Sequence, residues 1–279
     1  MGQYYYLVSS LPELSQVDSF SQHPYPLFHQ LAQEELSVPD YRALRSMFLL
    51  HDVSNLAQFI VGKKQNNQIE FQTPSLYEIH DFMNGDELIP VFEDILWEYQ
   101  EHPDSPSFLH PQEFILQRLM EALVQGEVKP QDDFVQQHLI WEMRERNLAL
   151  ALSRRQAGLP YHDDIVVFDD FSQKIATDPS SDFGLGGDLE HCSMMLDTFV
   201  QNQPFSGEKI LTDLRWLRLS ETLDVQPFHR NAVLSYAVKI ADVERWLFLS
   251  PQEGKQRLDA LLKGLHQQIL DLTHQEVDA

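Results

Sequence analysis

The residue types most suggestive of chemistry are His51-Asp52. An adjacent imidazole and carboxylate, with another His upstream and an Asp downstream, can hold a divalent cation that activates water. His23 and His29 lie upstream and acids are plentiful downstream, so a helical metal-dependent phosphohydrolase centred on His51-Asp52 is the enzymatic alternative. The dipeptide recurs at His80-Asp81 and His162-Asp163, as chance allows in a chain with 12 His and 43 Asp plus Glu. Neighbours on a helix also diverge by about 100°. On that spacing His51 falls inside an apolar arc and Asp52 at its edge, which reads as a core histidine beside a cap or salt bridge.

Asp163-Asp164 and Asp169-Asp170 form a second candidate, because paired acids can hold magnesium for diphosphate chemistry. Such sites recruit basic residues beside the metal, and only Arg154, Arg155 and Lys174 are near in sequence. A solvated acidic loop is the simpler reading. Cys192 is the sole cysteine, which excludes an intramolecular disulfide and a thiolate zinc cage and reads as a buried inert thiol. No phosphate loop or nucleophile elbow is present, and Gly184-Leu185-Gly186-Gly187 lacks the spacing of a nucleotide motif. The chain is therefore expected to have no catalytic residues, no cofactor and no metal.

The elements that would position these residues read as helices joined by short turns. After Pro39-Asp40 an apolar-periodic stretch runs to about Lys64. Ser75-Leu76-Tyr77-Glu78 has the capping-box form. Pro111-Gln112-Glu113 opens a run that stops near Gly126, and Pro130 opens one that ends at Gly158-Leu159-Pro160, where Gly supplies a left-handed cap. Ser250-Pro251-Gln252-Glu253 starts a last helix with a single stripe of Leu258, Leu261, Leu262, Leu265, Ile269 and Leu272. That stripe is covered either by the rest of the chain or by a partner. Between Tyr161 and Leu189 the periodicity breaks into an irregular acidic connection, with a candidate strand at Ile165-Val166-Val167-Phe168. Tyr4-Tyr5-Tyr6-Leu7-Val8 reads as a short strand or an extended lead-in.

Composition narrows the class. Of 279 residues 43% are hydrophobic and 11% aromatic, which is a folding composition. The formal net charge of -23 repels phosphate backbones and anionic headgroups, so no nucleic-acid partner is expected. It suits solubility, or steering toward basic protein surfaces. Nothing in the first residues has the form of an export leader, and no apolar stretch approaches the length that crosses a bilayer. A cytoplasmic location without direct membrane insertion is expected.

Two helical stretches share a pattern. Aligning Asn55 with Asn147 also matches Leu56 with Leu148, Ile60 with Leu152 and Lys63 with Arg155, while Arg144 stands at the position of Asp52. Projected on a helix, Asn55 falls within the arc of Leu44, Met47, Phe48, His51 and Phe59. Asn147 falls within that of Leu139, Ile140, Met143, Leu150 and Ala151. An inward amide must find partners or forfeit about 1–3 kcal/mol, so both asparagines are expected to tie helices or a loop backbone together. A degraded third copy surrounds Asn231 and Lys239. Arg144, Arg146, Arg154 and Arg155 gather on the second stretch, either paired with acids such as Glu142 and Glu145 or forming a contact surface for an acidic partner.

The opening Tyr4-Tyr5-Tyr6-Leu7-Val8-Ser9-Ser10-Leu11-Pro12-Glu13-Leu14 resembles the start of an uncharacterised bacterial family encoded within V-type ATPase operons, a resemblance that extends over essentially the whole chain. Asp52-x-x-Asn55-Leu56 with Lys63, and Asn147-Leu148 with Arg154, Arg155 and Gly158, are similar to the repeated helical signature of the C subunit of V/A-type ATPases. This resemblance implies an all-α, funnel-like single domain over 1–279, with pseudo-repeat units at about 1–110, 111–190 and 191–279. It implies a non-catalytic central-stalk adaptor, seated on the membrane rotor ring and receiving the tip of the central shaft, that supports ion transport coupled to ATP. The protein would then be held peripherally at the inner membrane through the ATPase.

Overall fold

A computed structural model of the chain describes residues 4–12, 14, 25–60, 88–128, 132–186, 204–221 and 227–248. Its elements are α1 (Tyr5–Ser10), α2 (Tyr25–Glu35), α3 (Val38–Ser46), α4 (Leu49–Ile60), α5 (Pro90–Glu101), α6 (Pro111–Val124), α7 (Asp133–Gln156), α8 (Asp170–Thr177), α9 (Pro204–Glu221) and α10 (Arg230–Phe248), with 3-10 turns at Pro106–Phe108 and His162–Asp164. No strand occurs among the described residues, so the all-α class stands. The capping box at Ser75, the apolar stripe from Leu258 to Leu272, His23, His80-Asp81, Lys63 and Cys192 lie outside the described residues.

Local chemistry explains where the helices begin and end. Ser37 caps α3 by accepting from the Asp40 amide, and Asp132 caps α7 by accepting from the Phe134 and Val135 amides at 3.1 and 3.2 Å. At the far end of α7, Gly158 has φ +69. Its N–H bonds the Arg155 carbonyl at 3.1 Å while the Leu159 N–H reaches back to Arg154 at 2.9 Å, the paired closure of a Schellman motif. Gly126 ends α6 in the same way: φ is +72, and the Glu127 N–H returns to the Ala122 carbonyl at 2.9 Å.

Three expectations are corrected. The long run after Pro39-Asp40 is broken at Met47-Phe48 into α3 and α4, and the break resets the helical phase. The buried face of α4 is Leu49, Asp52, Val53, Leu56, Ala57 and Ile60, whereas His51, Asn55 and Phe59 are only half-buried. Tyr4-Tyr5-Tyr6-Leu7-Val8 is neither strand nor extended lead-in: helix α1 starts at Tyr5. Residues 165–168 form no strand, and the acidic connection that contains them also holds helix α8. Asp169 caps α8 in a reciprocal box with Ser172, whose hydroxyl answers the Asp169 amide at 3.0 Å.

The main core draws from both ends of the described chain, from Leu7 and Phe28 through Leu56, Phe92 and Leu119 to Val233 and Val243. Helix α10 packs against α1, α2, α3 and α9, and α6 packs against α4 and α5. A second, smaller core gathers Leu148, Ala151 and Leu152 of α7 with Tyr161, Phe171, Ile175 and Phe183 of the acidic connection and Leu211 and Leu214 of α9.

Candidate functional site

His51 and Asp52 part company. Asp52 is wholly buried, while half-buried His51 stacks on Phe48 with ring centroids 5.8 Å apart. His29 meets the Tyr41 hydroxyl at 2.9 Å. Among the described residues no three His, Cys, Asp or Glu side chains are grouped to hold a metal ion. The paired acids of the connection are likewise dispersed. Asp164 bonds Arg154 at 3.1 Å, Asp169 caps α8, and Asp163 and Asp170 face solvent.

The α7 arginines fasten that connection to the helix. Arg144 grips Asp169, with Nε at 2.7 Å, and lies over the Phe171 ring at 5.3 Å. Arg154 also donates to the Pro160 carbonyl at 3.2 Å. Arg155 donates to the Ser180 carbonyl and the Tyr161 hydroxyl, each at 2.7 Å, and covers the Phe183 ring at 3.9 Å. Arg146 is half-buried, and burial lowers its pKa against the opposing pull of Glu113 and Asp164. Fully buried Asn147 joins the same fastening. Its Nδ2 donates to the Val166 carbonyl at 2.7 Å and its Oδ1 accepts the Val166 N–H at 3.3 Å. The amide thus supplies both bonds that a neighbouring strand would have given Val166, so the extended segment needs no sheet. Asn55 and Asn231, at the matching positions, are only half-buried.

Among the described residues, the largest concentration of buried charge lies where α7, α9 and α10 meet. His138, Glu142 and Glu145 fall at i, i+4 and i+7, on one face of α7. From α9, Arg215 extends between them. Its Nη1 reaches Asp242 of α10 at 2.8 Å, its Nη2 reaches Glu145 at 3.3 Å, and its Nε lies 3.7 Å from Glu142. Trp216 donates its indole N–H to the other Asp242 oxygen at 3.1 Å. Arg218 lies over the Trp141 ring at 5.2 Å. His138 is 2% exposed and 3.6 Å from Glu142, and neither of its ring nitrogens makes a hydrogen bond within the described structure.

One guanidinium serving three carboxylates sets the electrostatics. Burial pushes the carboxyl pKa values of Glu145 and Asp242 up, against the downward pull of Arg215. Glu142 is also desolvated, but His138 and Arg215 hold it below the usual carboxylate range. Burial drives His138 down to about 4, with Glu142 opposing and Arg218, Arg215 and His51 reinforcing, so its imidazole is neutral at pH 7. The three carboxylates hold Arg215 firmly charged despite its own burial. Such a cluster can bind a proton or lock three helices together, and its short Arg215–Asp242 contact makes it a tie between α9 and α10.

A second ionic junction lies at the start of α10. Arg230 bonds Asp40 at 3.3 Å and Asp132 at 2.5 Å. Asp40 also accepts from the Tyr4 hydroxyl at 2.5 Å and the Ser37 hydroxyl at 2.8 Å. Burial opposes its ionisation, but these donors and Arg230 hold its carboxyl below the usual range. The α1 entry, the α3 start and the α7 cap therefore meet at one arginine.

Sequence reasoning singled out neither junction. The available signal was the i, i+4, i+7 spacing of His138, Glu142 and Glu145 on a helix whose apolar face also needed cover. Fold and site together define an all-helical protein whose interior is tied by amide and ionic junctions, and among the described residues no helix is long and apolar enough to cross a membrane. The chain belongs to the family described as "Protein of unknown function (DUF2764)", which matches residues 1–269. Neither the curated proteins nor the solved structures yield a match.

Proposed function

We propose that the protein is a non-catalytic central-stalk component of a V/A-type rotary ATPase, an adaptor like the C subunit of those machines, placed between the rotor shaft and the membrane ring and supporting ion transport coupled to ATP. The reading starts from the resemblance of residues 4–14 and of the two asparagine-centred segments. The observation that carries it is Asn147, the signature asparagine of the second segment, whose amide engages the Val166 backbone on both sides. A signature residue occupied in this way serves stiffness, and a body that transmits torque must be stiff. The Arg215 and Arg230 junctions support the same reading, because each joins helices far apart in sequence. On this proposal the repeated units form a funnel around the shaft tip, and the protein sits in the cytoplasm against the inner membrane through its partners.

An affinity pull-down of the full chain from detergent-solubilised native membranes tests the proposal. Recovery of shaft and ring components together is the expected result. Recovery of neither, with the ATPase intact in the same extract, would sink it.

A further inference from the structure

The outward side of α5 is acidic. Its sequence, Pro90–Glu101, contains Glu93, Asp94, Glu98 and Glu101 and no Lys or Arg. The inward stripe of Val91, Phe92, Ile95 and Leu96 is buried in the core. Glu93, Asp94 and Glu101 face solvent, and none of the four acids makes an ion pair within the described structure. Among them stands Trp97, 62% exposed. Asp94 and Glu101 lie one turn to either side of it, so the indole is flanked by carboxylates.

Val91 and Asp94 of the same helix line a cavity of about 180 Å³ between the start of α5 and the end of α6. Its apolar floor includes Ile89, Val91, Ala122 and Val128, and its rim carries Asp94, Glu121 and Glu127 against the single cation Arg118. An exposed indole one turn from Asp94, which lines a hollow with an apolar floor and an acidic rim, is the surface form of a docking anchor.

We propose that this α5–α6 face is the docking surface for a Lys/Arg-rich amphipathic segment of another protein. Charge selects the occupant. Anionic lipid and nucleic acid are repelled by the acidic rim. A cationic head can lie over the indole face and reach the flanking carboxylates, while its aliphatic stem and apolar neighbours cover Trp97 and enter the hollow. The surface concerns chemistry alone and goes beyond the rotary-ATPase reading, since any basic partner of this form would fit.

The probe is a fluorescently labelled amphipathic helical peptide of Leu and Lys, titrated with the full-length chain at two salt concentrations and followed by anisotropy. The variants are Trp97→Ala, Trp97→Gln and the pair Asp94→Lys/Glu101→Lys. The control pair Glu35→Lys/Asp163→Lys makes the same charge change at exposed positions elsewhere. Circular dichroism melts identify which variants keep the parent fold, and either Trp97 substitution suffices. Loss of a central anchor is expected to weaken binding about tenfold or more, and the Lys pair to weaken it further, with the control within about twofold. Equal weakening by the control would reduce the effect to net charge and overturn the proposal. So would unchanged binding in both Trp97 variants, no binding of the peptide at all, or Trp97-dependent partition into zwitterionic vesicles in its place.

Discussion

Arg215 and Arg230 both bridge carboxylates from distant parts of the chain, yet Asp40 at the one and Glu145 and Asp242 at the other are pushed in opposite directions. At Arg230, Asp40 receives hydroxyl donors from Tyr4 and Ser37 in addition to the guanidinium, and it is held ionised. Around Arg215 three carboxylates share one guanidinium, with a single neutral donor, the Trp216 indole on Asp242, and burial pushes Glu145 and Asp242 toward the protonated form. The salt bridge is common to both. What differs is the balance of desolvation against donors: Asp40 receives two hydroxyls besides its guanidinium, Asp242 one indole N–H and Glu145 no neutral donor, and burial prevails only around Arg215.

The sharpest way to break this comparison is to remove each arginine. Arg215→Ala leaves three carboxylates facing one another in a desolvated space and is expected to cost about 3–5 kcal/mol. Arg230→Ala leaves Asp40 its two hydroxyl donors and Asp132 its cap bonds, and is expected to cost about 1–3 kcal/mol. Urea denaturation at pH 7 measures both. Equal losses would mean that neutral donors contribute nothing to the difference.

The next effect appears on acidification. The His138 pKa is depressed in the folded state to about 4, below its unfolded value of about 6.5. As pH falls between those values the unfolded chain takes up a proton that the folded chain refuses, so stability is lost on acidification. At 1.36 kcal/mol per pH unit the loss approaches about 3 kcal/mol across the window. In His138→Leu that share of the slope should vanish, seen as a smaller difference between urea midpoints at pH 7 and pH 5. Asp40 behaves differently. Its lowered pKa contributes stability above the unfolded carboxylate range, which is lost only as pH falls through its own depressed value. An unchanged pH 7 to pH 5 difference in His138→Leu would remove His138 from the account.

These contrasts also mark what was legible in the sequence. Helix ends at Gly126 and Gly158 could be read because a left-handed cap is a local event, complete within a few residues. The turn at Met47-Phe48 could not, since it contains no Gly or Pro and Leu44, Met47, Phe48 and His51 keep a helical spacing across it, and missing it rotated the inferred face of α4 until His51 replaced Asp52 as the inward residue. Asn147 was legible as an inward amide, but its partner Val166 was not, because 19 residues separate them. The Arg215 cluster was the least accessible. Its bonds span 70 residues to Glu145 and 27 to Asp242, and no periodicity along one helix encodes which opposite charge a fold will bring.

The smallest effect carries the finest test. Glu145 makes one bond within the cluster, to Arg215 at 3.3 Å, and Glu145→Gln keeps an oxygen able to accept it. The ionised wild-type carboxylate bears a desolvation penalty that the amide lacks. The variant should therefore differ from wild type by less than about 1 kcal/mol, in the stabilising direction. Because the folded pKa of Glu145 is raised, that advantage should shrink as pH falls through it, when the wild-type group takes up its own proton. A loss of about 2 kcal/mol or more at pH 7 would mean that the Glu145 charge is net favourable beside Arg215. The two arginine junctions would then differ in degree only, and the upward pressure on the carboxylates around Arg215 would be without consequence for stability.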